Sequence, residues 1–99
     1  MFINHTNHLS QYWSHEQLTA ACEYGEVLDL PFPSVDPQAS SSEVLELAQE
    51  YVGRIIALHP SAVLCQGEFV YCHVLVERLL AAGITVLAAT SERVVEEFY

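Results

Sequence analysis

The segment around Gly67 has the pattern of a strand, a tight turn and a helix, and it limits the folds open to this chain. Residues 62–65 form a short apolar run, and residues 70–82 are apolar at helical spacing up to Gly83. In a parallel α/β sheet such a turn lies at the carboxyl edge, where ligands bind. Gly67 permits a sharp turn or a close approach to a ligand, and the N–H groups that open the next helix attract anions. A plain tight turn and an anion-binding turn both fit this pattern.

The rest of the chain alternates in the same way. The predicted strands are residues 1–4, 26–30, 62–65 and 84–89, and residues 93–99 form either a last short strand or a tail. Predicted helices lie between Ser14 and Gly25, between Ser40 and His59, and over 70–82; the first two begin with capping-box sequences. Helical crossovers between strands indicate a mostly parallel, doubly wound sheet of four to five strands, with helices on both faces. We expect the strand order 2-1-3-4, which opens a crevice between the first and third strands.

Length and composition favour one α/β domain that spans residues 1–99. The chain has 99 residues, of which 52% are hydrophobic, so it can build a single core. No apolar run approaches the ~20 residues that cross a bilayer, and the first residues lack the basic start of a signal peptide. A cytoplasmic protein is the expectation. Cys22, Cys65 and Cys72 form no C-x-x-C pair, so we interpret them as buried reduced thiols, although Cys65 lies near enough to the turn to act as a nucleophile.

The charge balance restricts the partners. The chain has thirteen acidic residues, three arginines and no lysine, which gives a formal net charge of −10. A groove for long DNA or RNA needs a basic surface, so that class of partner is disfavoured. A small anion held by backbone N–H groups and one arginine remains compatible with this composition.

Polar and ionisable residues concentrate after the first, third and fourth predicted strands, where a site would form. The candidate ligand-binding residues are Asn4, Thr6, Asn7, Gln66, Gly67, Glu68, Phe69, Ser91 and Arg93. His5 and His8 are the candidate catalytic residues, because an imidazole titrates near neutral pH, although both can equally be surface residues without a role. Arg93 is the cation nearest the crevice, and Glu68 fits the first turn of a helix. Two histidines lack the third ligand of a metal site, and no phosphate-loop, dinucleotide or hydrolase signature occurs, so we expect neither metal nor cofactor.

Four segments resemble a known family. They are residues 2–8, residues 30–37, residues 62–69 and residues 88–93, and together the resemblance covers nearly the whole chain. The chain is similar to small CRISPR-associated proteins of type III systems, which look like stand-alone versions of the CRISPR-associated Rossmann fold. This resemblance implies a Rossmann-like homodimer in antiviral defence that binds a cyclic oligoadenylate, with cyclic tetra-adenylate as the expected ring, across its two-fold axis.

The resemblance also implies two activities, since some members of that family cleave the ring and others sequester it. Cleavage without metal would use the ribose 2′-hydroxyl as the internal nucleophile, with the protein holding the ring in line and moving protons. In that hypothesis His5 or His8 carries the proton, and Arg93 with the turn after the third strand holds phosphate. A binding protein without activity, and an α/β interaction module without a ligand, are the alternatives.

Overall fold

The computed structural model describes residues 1–89 and 95–97, in which strands and helices alternate along the chain. The strands are β1 (Phe2–His5), β2 (Val27–Asp29), β3 (Ala62–Cys65), β4 (Val86–Ala89) and β5 (Val95–Glu97), and the helices are α1 (His15–Cys22), α2 (Ser41–Ala57) and α3 (Phe69–Ala81). A short 3-10 helix, Ser10–Tyr12, precedes α1. None of the helices in this part of the chain is both long enough and apolar enough to cross a bilayer.

The five strands form one sheet in the order β2-β1-β3-β4-β5. The first four strands are parallel, and β5 pairs antiparallel with β4. The predicted order 2-1-3-4 and the mostly parallel sheet are therefore confirmed. The last segment, predicted as either a strand or a tail, contains an antiparallel edge strand.

Local hydrogen bonds fix the ends of the helices. The Ser14 hydroxyl accepts from the N–H of Gln17 at 3.2 Å, and the Gln17 side chain accepts from the N–H of Ser14 at 3.4 Å, which is the predicted capping box. At the start of α2 the box is only half formed: the Ser40 hydroxyl accepts from the Glu43 N–H at 3.2 Å, but it also donates to the Glu43 carboxylate at 3.1 Å. In a complete capping box the Glu43 carboxylate would accept from the backbone N–H of Ser40, but here it accepts from the Ser40 hydroxyl.

The fourth strand starts two residues later than predicted. The N–H of Ile84 donates to the carbonyl of Leu79, and the N–H of Gly83 donates to the carbonyl of Leu80, both at 3.0 Å. This pair of bonds closes α3 with a Schellman motif, for which Gly83 adopts a φ of 80°. Ile84 is therefore used to end the helix, and the strand begins at Val86.

Side chains alternate along the buried strands and build two cores, one on each face of the sheet. Ile3 and Val63 pack with the apolar stripes of α2 and α3. Phe2 and Leu64 point to the other face and pack with Ala21 of α1. Because both faces are covered, the short parallel strands carry apolar residues in nearly every position.

The loop after β2 closes the carboxyl edge of the sheet between β1 and β3. Its Leu30 N–H donates to the Asn4 carbonyl at 2.9 Å, which carries the chain across the end of β1. Phe32 follows, is only 8% exposed, and packs edge-on against Tyr71 with ring centroids 4.7 Å apart. A Cβ atom at Gly67 would lie 2.4 Å from the Phe32 ring. The predicted open crevice is therefore filled by Phe32, and Gly67 is required because the ring lies against its backbone.

Gly67→Ala should lower the free energy of unfolding by about 1–3 kcal/mol, the usual cost of overpacking a core, since Phe32 is enclosed and cannot move aside freely. Gly53→Ala is the matched control, because Gly53 lies in the interior of α2 with no atom within 4 Å of the added Cβ. That control should raise stability by up to about 1 kcal/mol through helix propensity. Urea unfolding of both variants measures the difference. Equal midpoints for Gly67→Ala and the parent would mean that Phe32 does not press on this turn.

Candidate functional site

Two of the three predicted site segments lie side by side at the carboxyl edge. β1 and β3 are neighbours with His5 paired to Cys65, and the N–H of Gln66 reaches the carbonyl of His5 at 3.4 Å. The residues that follow β1 therefore adjoin the turn that follows β3. The third segment, with Ser91 and Arg93, lies outside the described residues, so their binding roles stay predictions.

Two predicted ligand-binding residues are buried and hold the loop after β1. Asn4 is 1% exposed; its side-chain amide donates to the Asp29 carboxylate at 2.7 Å and to the His8 carbonyl at 2.8 Å. The Thr6 hydroxyl donates to the Asn4 side-chain oxygen at 2.8 Å and accepts from the His8 N–H at 3.1 Å. Asn4 and Thr6 thus set the position of His8, whose side chain remains exposed, as does that of Asn7.

Asp29 is a member of this network that the sequence analysis did not single out. Its carboxylate also accepts from the N–H of Ser10 at 3.2 Å and from the Ser10 hydroxyl at 2.9 Å. It thereby anchors the 3-10 helix to the end of β2. An acid at the end of an otherwise apolar strand was the available signal, since a half-buried carboxylate needs hydrogen-bond donors nearby.

His5 lies inside the protein with both ring nitrogens engaged. Its Nδ1 is 2.8 Å from the Leu30 carbonyl, which can only accept, so Nδ1 carries the hydrogen. Nε2 then accepts from the Tyr71 hydroxyl at 2.9 Å. The ring is completely buried among Phe32, Tyr51 and Tyr71. A ligand in solution does not reach this imidazole, so the geometry gives His5 a structural contact, and a catalytic role for it stays a prediction.

Burial sets the protonation of this pair. It lowers the pKa of His5, and the positive charge of Arg54 lowers it further, against the opposite effect of the Leu30 carbonyl. Burial also raises the pKa of Tyr71, with nearby Cys65 as the next cause, so its hydroxyl keeps the proton that it donates. The pair is therefore a neutral imidazole and a neutral phenol.

The start of α3 is occupied by its own side chain. The Glu68 carboxylate accepts from the N–H of Val70 at 3.1 Å and from the N–H of Tyr71 at 2.7 Å. Both N–H groups open the helix whose start was predicted to attract anions, and a carboxylate bound there repels a second anion. These two N–H groups are therefore not free for an anion, and phosphate binding by the N–H groups of residues 67–69 stays a prediction. Glu68 acts as the helix cap rather than as a first-turn acid.

Six predicted site residues are exposed, and the five that carry side chains define what we call the rim: Asn7, His8, Gln66, Glu68 and Phe69. Phe69 is 81% exposed, and its ring lies parallel to the His73 ring, with an interplanar angle of 14° and centroids 6.5 Å apart. An exposed phenylalanine at the ligand-binding edge of a sheet presents a flat apolar face to solvent. The rim can therefore stack on a planar group and offer amide, imidazole and carboxylate partners around it.

An open groove of ≈ 320 Å³ meets the rim at Glu68. Val35, Ala39, Val44 and Val70 give it apolar walls, and Asp36 with Glu68 are its ionisable residues. This lining suits an uncharged planar group with amino hydrogens better than a phosphate. Over residues 1–89 and 95–97, no three His, Cys, Asp or Glu side chains are placed to hold a metal ion.

The lowered pKa of His5 predicts how stability depends on pH. The unfolded chain binds a proton at His5 near its ordinary pKa of about 6.5, whereas the folded chain resists it. This contribution is complete above that value and is lost as the pH falls below it. Urea unfolding at pH 7.5 and pH 5.5 (chosen to lie about one unit either side of the ordinary value) should show the parent losing more stability than His5→Gln. An equal loss in both proteins would show that His5 does not cause the pH dependence.

Comparison with known proteins places the chain in a family without adding an activity. No curated protein and no solved structure matches the sequence. The family described as "Uncharacterized protein MJ1673 family" matches residues 1–99, the whole of the chain. The chain belongs to the MJ1673 family.

Proposed function

We propose that this protein binds a cyclic oligoadenylate at the rim, as a cytoplasmic component of type III CRISPR antiviral signalling. The resemblance of four segments to small CRISPR-associated proteins supports the proposal, and so does the parallel sheet whose carboxyl edge carries the exposed residues. Cyclic tetra-adenylate is the first ligand to test.

The observation that carries the proposal is the exposure of Phe69. Bases stack on aromatic side chains with about 1–3 kcal/mol each, whatever their sequence. Phe69 is 81% exposed at the start of a helix, so a ligand that covers its ring gains the free energy of removing apolar surface from water. Its ring already lies parallel to His73, so an adenine can extend the same stack on the open face.

The acidic character of the edge fits recognition of the base rather than of the phosphates. The adenine amino group donates hydrogen bonds, and the carboxylates of Asp36 and Glu68 accept them beside the apolar groove. Phosphates would then face the solvent side of the rim, near the exposed side chains of His8 and Gln66. Arg93 remains the proposed cation for them.

Binding without cleavage is the favoured activity, with cleavage as the alternative. A proton carrier must touch the reacting atoms, and His5 is enclosed while its hydrogen is donated to Leu30. His8 is the exposed histidine on the rim, and the Asn4–Thr6 network fixes its backbone. If the ring is cut, His8 carries the proton and the ribose 2′-hydroxyl attacks.

Phe69→Ala should weaken binding of cyclic tetra-adenylate by roughly 5- to 100-fold, the value of one lost base stack. Phe69→Trp should keep or improve affinity. Ile56→Ala is the matched control, because Ile56 is exposed near the end of α2, at the opposite edge of the sheet. Isothermal titration with the four proteins measures the effect. Parent-like affinity of Phe69→Ala would remove the rim from the site, and no binding by the parent would leave the interaction-module alternative.

His8→Ala tests the cleavage alternative. If the parent cuts the ring, this variant should cut it roughly a hundredfold more slowly or worse, with unchanged affinity, and EDTA should have no effect. His59→Asn is the control, because His59 lies beyond α2 and its φ of 50° is one that asparagine tolerates. Chromatography of the products under single-turnover conditions separates the cases. A parent that binds the ring and never cuts it establishes sequestration.

A homodimer is part of the proposal, since two copies would place two rims around one ring and match its symmetry. Sedimentation velocity at tens of micromolar (roughly the range for weak dimers) should show a dimer that cyclic tetra-adenylate stabilises. A monomer with and without the ring would contradict this arrangement.

A further inference from the structure

Cys65 and Cys72 meet across the turn that joins β3 to α3. Cys65 is the last residue of β3 and is buried, whereas Cys72 lies one turn into α3 and is partly exposed. The Cys65 thiol donates to the Cys72 sulfur at 3.4 Å. The two residues form no C-x-x-C motif, and their separation of seven residues becomes a contact only because strand and helix pack together.

The two sulfurs differ in chemical character. The hydrogen bond from Cys65 lowers the pKa of the Cys72 thiol and the backbone N–H of Gly67 adds to this effect, whereas burial and the nearby Glu68 carboxylate oppose it. The same hydrogen bond and burial raise the pKa of Cys65. The pair therefore combines an attacking sulfur that solvent reaches with a protected partner in contact behind it.

We propose that Cys65 and Cys72 are a reversible modification site, which hydroperoxides convert to a disulfide across the Gly67 turn. The Cys72 thiolate attacks a peroxide oxygen, the O–O bond breaks, and the hydroxide or alkoxide that leaves takes up a proton. The Cys72 sulfenic acid is then attacked by the Cys65 sulfur, whose proton leaves with the hydroxyl group as water. Two thiols and one hydrogen peroxide thus give one disulfide and two waters, and a dithiol reductant reverses the step.

The sulfurs need to approach from 3.4 Å to about 2.05 Å for the disulfide to form. Cys22 offers the contrast. It is exposed at the end of α1, although it was expected to be buried, and α1 packs through Ala21 on the opposite face of the sheet from Cys65. Cys22 is therefore an internal control, a thiol of the same chain that takes no part in the Cys65–Cys72 contact.

The protease sites of the chain make the test direct. Trypsin releases residues 55–78 with both cysteines, and cleavage after Glu68 separates one cysteine from the other. After treatment of the parent protein with hydrogen peroxide, the two halves should stay joined until dithiothreitol is added. Alkylation of the denatured protein should fall from three thiols to one, at Cys22.

Two variants assign the roles. Cys22→Ser should form the same disulfide at the parent rate, because Cys22 takes no part. Cys65→Ser should accumulate a sulfenic acid that dimedone labels at Cys72. The proposal is overturned if the parent accumulates sulfinic acid at Cys72 while Cys65 still alkylates, or if the product is a disulfide between two chains through Cys22. The experiment on the parent decides the outcome even if Cys65→Ser does not fold.

Discussion

The rest of the structure depends on the hydrogen-bonded bridge that His5 makes between the Leu30 carbonyl and the Tyr71 hydroxyl. These three residues belong to β1, to the loop after β2 and to α3, so one imidazole joins the centre of the sheet to the elements on either side of it. The bridge exists only while the ring is neutral, since a protonated Nε2 could not accept from Tyr71. Burial enforces that state by lowering the pKa of His5. Phe32 packs beside His5, so the predicted crevice between β1 and β3 is filled by buried side chains.

Because this crevice is filled, the polar and aromatic side chains that a ligand can reach at this edge are those of the rim. Glu68 binds two N–H groups at the start of α3, so the helix end is not available to an anion. The exposed ring of Phe69 and the acceptors around it favour a planar base with amino hydrogens. In the proposed function, a chain with a net charge of −10 would recognise adenine through these acceptors and keep its three arginines for the phosphates. This is why the proposal gives the base the main share of affinity.

The fold followed from the sequence because its signals are local. Apolar runs marked strands buried on both faces, and the limits of β3 match the predicted ones; capping residues and Gly83 marked helix ends. The site could be predicted less well, because its buried residues contact residues that are far away in the sequence. His5 meets Tyr71 across 66 positions, and nothing near His5 distinguishes a buried histidine from an exposed one. Phe32 and Cys72 gain their roles in the same way, through contacts that only the packed sheet and helices create.

An NMR titration of the parent with cyclic tetra-adenylate tests the central claim, that a ligand binds on the rim over a closed core. We expect the amide signals of Asn7, His8, Gln66 and Phe69 to shift with increasing ligand concentration. Signals of His5, Phe32 and Tyr71 should move much less, because the Leu30–His5–Tyr71 bridge stays intact. Linear tetra-adenylate at the same concentrations is the control for non-specific stacking. Largest shifts at His5, Phe32 and Tyr71 would show that the crevice opens, and an unchanged spectrum would show that the rim is not an oligoadenylate site; either result contradicts the account.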